Sequence, residues 1–507
     1  MTSIKDLVVF KKLNVHRLIV EPKRVKATYT LIKSDNSEVS KELIYSYDHK
    51  YFDKQKASDI NLVSMMVAQV ALNYGLFCEI IEFEGIFDVN DKRFILDMME
   101  NTSREIYVNK FLHKNEFLKP EFANLQPEKL EKYTAAQVIF SSDQYLNYRL
   151  TKTRTETLSN HYAILSSGGK DSLLTYGIIK EIGVPHPIFI NESGRHWFTA
   201  INAYKYQKQL DDNTVKPWCN SDRIFNWMVR QMPFIKENFQ NIRADIYPIR
   251  LWTVSVFLFG VLPIARKRKV GNILIGNEYD TTIKENFKGI THYQALYDQS
   301  KYFDNALTRY YQKKGWGIHQ FSILRSLSEL LIIKILVKRY PELQEQQVSC
   351  HAAHEMNGRM LPCGKCEKCR RIVGMLIALN EDPKRCGYTD HQIQNALKAL
   401  SEKSVKQIGS DAAHLYFLLL SRGNLLINEH TKKLAKEHPQ IMKLRFDKER
   451  STLEDLPIYV RRPLLNIVNQ YSEGICRYNE KKWQNIEYTS LPLDIPYIIK
   501  KQSHDDD

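Results

Sequence analysis

Apolar and polar residues alternate over 25–32 and again over 41–47, with Asp35-Asn36 between them, which predicts two strands joined by a turn. Residues 58–74 read as a helix. Ser58 is placed to cap it, Gly75 to stop it, and Val63, Met66, Val67, Val70 and Tyr74 recur at helical spacing as a core-facing stripe. From about residue 160 the pattern changes. A short apolar strand at 161–166 is followed by a glycine-rich turn, a helix at 173–182 stopped by Gly183, and a second strand at 187–191. An apolar helix at 252–268 then precedes a third strand at 272–276. Strands alternating with helices predict an α/β fold, a doubly wound parallel sheet that takes ligands at the strand carboxyl ends. From 390 to 495 the pattern is mainly helical, most clearly at 412–420, and an acidic tail closes the chain at 505–507. Three regions are expected: an N-terminal α+β accessory domain over 1–155, a catalytic domain over 156–388, and a mainly helical region over 389–507.

Composition narrows the class. The longest apolar run, 251–265, contains Pro263 and falls short of the roughly 18–20 residues that a membrane-spanning helix needs. The first fifteen residues hold too short an apolar core and too many lysines for a signal peptide. A reducing, cytoplasmic setting is therefore expected, in which the eight cysteines are thiols or metal ligands. The 73 Lys+Arg exceed the 58 Asp+Glu by 15. Only Arg266-Lys267-Arg268-Lys269 concentrates that charge, and elsewhere lysine and glutamate are interspersed. A solvated surface and an anionic small substrate account for the excess, so nucleic acid is not the favoured partner.

The most informative stretch is 166–172, Ser-Ser-Gly-Gly-Lys-Asp-Ser, between an apolar strand and a helix. Gly168 and Gly169 let the backbone approach a ligand and turn several N–H groups into one concavity. The helix start adds its positive end, Ser167 and Ser172 add hydroxyls, and Lys170 adds a charge. Together they form a phosphate cradle. It is not a Walker A loop, because Asp171 follows Lys170 where that pattern needs Ser or Thr. An acid there repels phosphate unless Mg²⁺ bridges the two.

Cys363, Cys366 and Cys369 form a C-x-x-C-x-x-C run, and Cys350 can close a tetrahedral Cys₄ zinc site with no open position, hence a structural knuckle over 350–369. His351 or His354 as fourth ligand, or an iron–sulfur cluster, are the alternatives. Lys365, Lys368, Arg370 and Arg371 would offset the thiolate charge. Cys78, Cys219, Cys386 and Cys476 stand alone and read as small core residues.

Residues 167–172 resemble the S-G-G-x-D-S signature of the PP-loop ATP pyrophosphatases. That resemblance implies cleavage of ATP between the α- and β-phosphates, with a substrate carboxylate adenylated. It also implies adenine held by backbone near 189–191, Asn191 included. Loop plus four cysteines in this order resembles the 7-cyano-7-deazaguanine synthase family, whose members are less than half this length. Three further segments are similar to the UDP-N-acetylmuramoyl-L-alanyl-L-glutamate epimerase family: Ile275-Gly276-Asn277-Glu278, then 299–304 (Gln-Ser-Lys-Tyr-Phe-Asp), then 321–330 with Arg325 and Glu329. The chain departs from that pattern at Tyr279-Asp280 and at Asp304, where Glu is expected. The implied site comprises Lys170, Asp171 and Glu278 as catalytic groups, and Lys301 and Arg325 as contacts for an anionic carboxylate substrate. An epimerase also needs a base for the α-proton, for which His292 and His319 are candidates. A nitrile- or amide-forming enzyme, a tRNA-modifying enzyme and a non-catalytic nucleotide module remain as alternatives.

Overall fold

The computed structural model describes residues 3–499 apart from 124, 146, 151–153, 193, 243–246, 294–295 and 408. The acidic tail at 505–507 lies outside the described residues.

The N-terminal region begins with a meander of β1 (Phe10–Glu21), β2 (Arg24–Lys33) and β3 (Glu38–Ser46). The expected strands at 25–32 and 41–47 are β2 and β3, and Asn36 takes the positive φ of 65° that their turn needs. Helix α1 (Ala57–Ala68) tightens into a 3₁₀ turn, Gln69–Tyr74, so the expected helix at 58–74 changes geometry half-way. Strand β4 (Cys78–Glu84), helix α2 (Val89–Ile106) and strand β5 (Gln137–Ser141) complete this part.

The second sheet carries the candidate site. Its elements run β6 (Leu158–Leu165), α3 (Lys170–Ile182), β7 (Val184–Ile188), α4 (Arg195–Leu210), β8 (Trp218–Cys219), α5 (Ser221–Gln231), α6 (Val254–Lys267) and β9 (Val270–Leu274). A hairpin of β10 (Lys284–Phe287) and β11 (Ile290–Tyr293), then α7 (Lys301–Lys313), β12 (His319–Phe321) and α8 (Glu329–Arg339), follow. Four of these strands form an all-parallel sheet in the order β12-β9-β6-β7. The chain starts in the middle at β6, steps outward to β7, and only then crosses to β9 on the other side. The order therefore reverses between β6 and β9. Alternate residues of β6 feed two cores: Ala163 faces the core that contains α6, while Tyr162 and Ile164 face the one that contains α3 and α8. Helices on both faces explain why Tyr162–Leu165 of β6 and Ile273–Leu274 of β9 are apolar on successive positions. The apolar run at 251–265 is the core of α6, a helix apolar on nearly every side because it lies inside the molecule. Among the described residues no helix is long and apolar enough to cross a membrane.

The two sheets are joined. β8 pairs antiparallel with β3 as the sixth strand of the N-terminal sheet, in the order β5-β4-β1-β2-β3-β8. The same segment makes parallel bridges from Val215 to Ile188 and from Trp218 to Asn191 beyond β7. Tyr47 also donates its hydroxyl to the Gly260 carbonyl of α6 at 2.9 Å, so one core runs from residue 4 to residue 318.

After a short α9 (Pro341–Gln344), a hairpin of β13 (His354–Met356) and β14 (Arg359–Leu361) leads into α10 (Glu367–Ala378). The last region holds α11 (Asp390–Leu400), α12 (Gly409–Ser421), α13 (Glu429–Leu434), β15 (Leu444–Phe446), α14 (Ile458–Val468), β16 (Ile475–Asn479) and β17 (Lys482–Ile486). The mainly helical expectation for 389–507 is thus incomplete: β15, β16 and β17 form a three-stranded sheet. Leu444, Val460, Leu464 and Ile475 share a core with Ile164, Leu173 and Leu274 of the parallel sheet.

Candidate functional site

Four segments meet at the carboxyl ends of the parallel strands. The first is the loop after β6. Gly168 has φ of +76°, and a Cβ there would come within 2.3 Å of the Thr199 carbonyl oxygen in α4. Only glycine allows this approach. The Ser167 amide donates to Ser172 Oγ at 3.3 Å, and Thr199 Oγ1 donates to the Ser167 carbonyl at 3.2 Å. α3 then begins at Lys170, so the amides of Lys170, Asp171 and Ser172 are first-turn N–H groups with no acceptor inside the helix.

The second segment follows β9. A Cβ at Gly276 would lie 2.7 Å from Asp171 Cβ, so this glycine lets the strand exit pass against the loop. Asn277 is held to the end of β12 by two bonds with the Ser322 hydroxyl, at 3.1 and 2.7 Å. Glu278 is thereby aimed back at Lys170. The third segment, after β12, delivers Glu329 as the first residue of α8, whose N-cap Ser328 accepts the Leu331 amide at 3.0 Å.

Lys170 sits at the centre of these segments. Its Nζ lies 2.8 Å from Asp171 Oδ1, 3.3 Å from Glu278 Oε2 and 3.4 Å from Glu329 Oε1. Burial opposes its charge, yet the three carboxylates hold it protonated well above the ordinary lysine range. Burial raises the Asp171 and Glu278 carboxyls, against the pull of Lys170. Burial also pushes Glu329 up, but Lys170 and Arg371 together bring it below the usual range. The structure thus brings together all three expected catalytic residues and adds Glu329, which the sequence offered only as part of a helical segment.

The C-terminal region closes the fourth side. A cavity of about 10 Å³, room for about one water, is lined by Glu278, Asp280, Glu329, Gln407, Asp411 and Arg445, among others. Arg445 stacks 3.9 Å over the Tyr279 ring and lies 3.4 Å from Asp411, while Tyr279 donates its hydroxyl to Asp447 at 3.2 Å. Asp280, Gln407, Asp411 and Arg445 carried no motif, because their convergence depends on how 400–450 folds back.

Burial raises the Asp280 carboxyl to about 6, against Lys170 and with Glu329, Asp411 and Asp171 adding repulsion. A folded pKa above the unfolded value of about 3.8 means the group penalises folding above pH 6, and the penalty fades as pH falls toward 4. Asp280→Asn should therefore raise the melting temperature at pH 7.5, by the equivalent of about 3 kcal/mol, and leave it nearly unchanged at pH 4. An equal shift at both pH values in thermal melts would refute this assignment.

The remaining expected residues lie elsewhere. Lys301 is buried at the start of α7, where its Nζ donates to the Lys448 carbonyl at 3.0 Å and faces Asp455 at 3.5 Å. Arg325 is ion-paired to Asp304 and donates to the hydroxyls of Thr281 and Thr282, each at 3.0 Å. Both cations are engaged within the fold, and Arg325 braces the turn Tyr279–Thr282 that follows Glu278. Asn191 pairs through backbone, its amide donating to the Pro217 carbonyl and its carbonyl accepting the Cys219 amide at 3.0 Å. Phe189 likewise donates to Val215, so this stretch is already a sheet edge. His292 packs against His113 and His319 stacks on Tyr497, neither of them beside Lys170. In the basic cluster, Arg266 covers the Trp316 ring and Arg268 donates to the Asn213 carbonyl.

The four cysteines converge. The ligand atoms of Cys350, Cys363, Cys366 and Cys369 all lie within 4.8 Å of one another. Three of the S···S separations are 3.5, 3.6 and 3.8 Å. A tetrahedron with Zn–S of about 2.3 Å has edges of about 3.8 Å, so the group fits a single metal ion such as zinc. An iron–sulfur cluster needs its thiolates further apart, to leave room for several iron and sulfide atoms. His351 turns to Lys368 and His196, and His354 is exposed on β13, so Cys350 is the fourth member. Among the described residues no acidic group closes up as tightly. Around Lys170 the ammonium takes the central place instead.

Comparison with family models, with curated proteins and with solved structures returns no match to this chain.

Proposed function

We propose that the chain binds ATP at 167–172 and adenylates the carboxylate of a small anionic substrate, whose oxygen attacks the α-phosphorus as pyrophosphate leaves, AMP being released when the acyl-adenylate is consumed. The carrying observation is the place of the loop. It leaves β6 and faces the exit of β9, the two strands between which the order reverses, and parallel sheets bind ligands in that crevice. The amides at the start of α3, with the helix dipole behind them, suit phosphate oxygens. Asp171 and Glu278 would hold Mg²⁺, which supplies charge neutralisation on the phosphates. Lys170, kept protonated by its carboxylates, exchanges part of that cage for the phosphates of the incoming nucleotide. Positioning and charge stabilisation then supply most of the rate.

The layout of segments favours a glutamate-terminated cell-wall precursor as substrate, with a deazaguanine carboxylic acid as the second candidate. Incubation with Mg-ATP and each acid should release AMP and pyrophosphate, and ADP with phosphate would overturn the proposal. Asp171→Asn should lower AMP release at least about 100-fold. Unchanged AMP release would remove Asp171 from the mechanism.

A further inference from the structure

The four-cysteine knuckle and the phosphate loop are connected by a short series of side-chain contacts. Cys366 is the N-cap of α10 and Cys369 lies in its first turn. The same two turns carry Glu367 and Arg371. Glu367 Oε1 accepts the Lys406 amide at 2.8 Å, and Arg371 Nη1 donates to the Lys406 carbonyl. Both ends of one residue are thus gripped by α10. The next residue, Gln407, donates Nε2 to Glu329 Oε2 at 2.7 Å. Arg371 Nε itself lies 3.5 Å from Glu329 Oε1, the oxygen that is 3.4 Å from Lys170 Nζ. Arg371, expected from the sequence to offset the thiolates, is engaged with Glu329 and Lys406. It shares Glu329 with Lys170.

We propose that the metal knuckle sets the charge balance of the phosphate loop, with Arg371 and Glu367 as positioning residues that act through Glu329. This rests on the nucleotide site proposed above. A carboxylate shared between Arg371 and Lys170 holds the lysine less firmly than one that faces Lys170 alone. With Arg371 in place, Lys170 can leave Glu329 for a phosphate. Without it, Glu329 retains the lysine and nucleotide binding weakens.

Arg371→Gln in the full-length, metal-loaded chain tests this. The KM for ATP should rise about tenfold, equivalent to about 1.4 kcal/mol, with kcat changed less than about threefold. Arg371→Lys, which keeps the charge, should recover most of the loss. Metal content should remain that of the wild type, and its loss from Arg371→Gln would overturn the proposal, since the helix itself would then have failed. The second readout needs no nucleotide. Hydrogen exchange of the Lys406 and Gln407 amides should quicken in Arg371→Gln and in Glu367→Gln, and chelation of the metal should quicken exchange across 166–172 as well. Unchanged exchange in all three, or a wild-type KM in Arg371→Gln, would overturn it. If the wild type forms no AMP, the nucleotide reading fails, and the exchange measurements alone decide whether knuckle and loop are coupled.

Discussion

Replacing Cys369 by serine should abolish metal binding at the four-cysteine cluster and loosen 350–378, a larger effect than loss of any cysteine outside the knuckle. Four sulfur atoms within 4.8 Å of one another are stable as thiolates only around a cation, because their mutual repulsion is otherwise unopposed. Structural zinc in small domains supplies on the order of 10–16 kcal/mol of apparent folding energy at neutral pH. Here the gain is shared with an apolar core, since Cys350 and Cys369 pack with Leu330, Ile333, Ile372, Val373 and Leu376. The expected outcome is thus local opening of the knuckle and α10 rather than global unfolding. Elemental analysis should fall from about one ion per chain to less than about a tenth, and proteolysis should begin within 350–378. Cys476→Ser is the control. Its thiol is equally buried, stands apart from the four, and should leave metal content untouched. If Cys369→Ser retains a full metal complement, or if the wild-type chain carries none and resists proteolysis there, the four-cysteine site is not a metal site.

What the sequence revealed, and what it hid, follows from how local each feature is. The strand–loop–helix around 166–172 was legible because its requirements are local: a strand end, two glycines, and a helix whose first turn bears Lys170 and Asp171. Glu278 was legible through the segment Ile275-Gly276-Asn277-Glu278 at a strand end, and the missing Cβ of Gly276 makes room for Asp171, which follows the adjacent strand. Glu329 lay in a recognised segment, but a helical stripe does not say what its N-terminal residue faces. Asp280 was noted only as a departure from a pattern, and Gln407, Asp411 and Arg445 were out of reach altogether, since what they share is a distance in space. The missed C-terminal sheet has a different cause. The turn between β16 and β17 is made by Glu480 and Lys481, with φ of 48° and 62°, a conformation that normally announces itself by Asn-Gly. The hairpin of β13 and β14 does use Asn357-Gly358, at φ of 51° and 76°, and was legible in principle. Lys301 and Arg325 show how partners inside the fold escape a sequence reading. Basic residues near a phosphate loop invite a ligand, but both are buried and already face Asp455 and Asp304.

Lys170→Met will be strongly destabilising, and its dependence on pH and Mg²⁺ will separate a nucleotide site from a merely structural ion cluster. The side chain is nearly buried, and Asp171, Glu278 and Glu329 all lie within 3.4 Å of its Nζ. Removing one partner of a buried ionic group costs about 3–5 kcal/mol, because the charges left behind have lost both water and partner. Burial already raises the Asp171 and Glu278 carboxyls, and Lys170 is what restrains them, so its loss lifts both further. Acids whose folded pKa is raised penalise folding at high pH, and the penalty disappears as pH falls below their unfolded values. The variant should therefore melt far below the wild type at pH 8 and approach it near pH 4. A second cation should do the same work as the missing ammonium. Millimolar Mg²⁺ should restore much of the lost melting temperature at pH 8, with a smaller effect on the wild type, where the ammonium occupies the centre. AMP formation should nevertheless stay abolished in Mg²⁺, since a cation among the acids does not replace a charge delivered to the phosphates. Rescue of stability without rescue of AMP release assigns Lys170 both roles. Loss of stability that neither low pH nor Mg²⁺ repairs would mean that Lys170 supports the loop by packing, and the phosphate cradle would have to be sought without it.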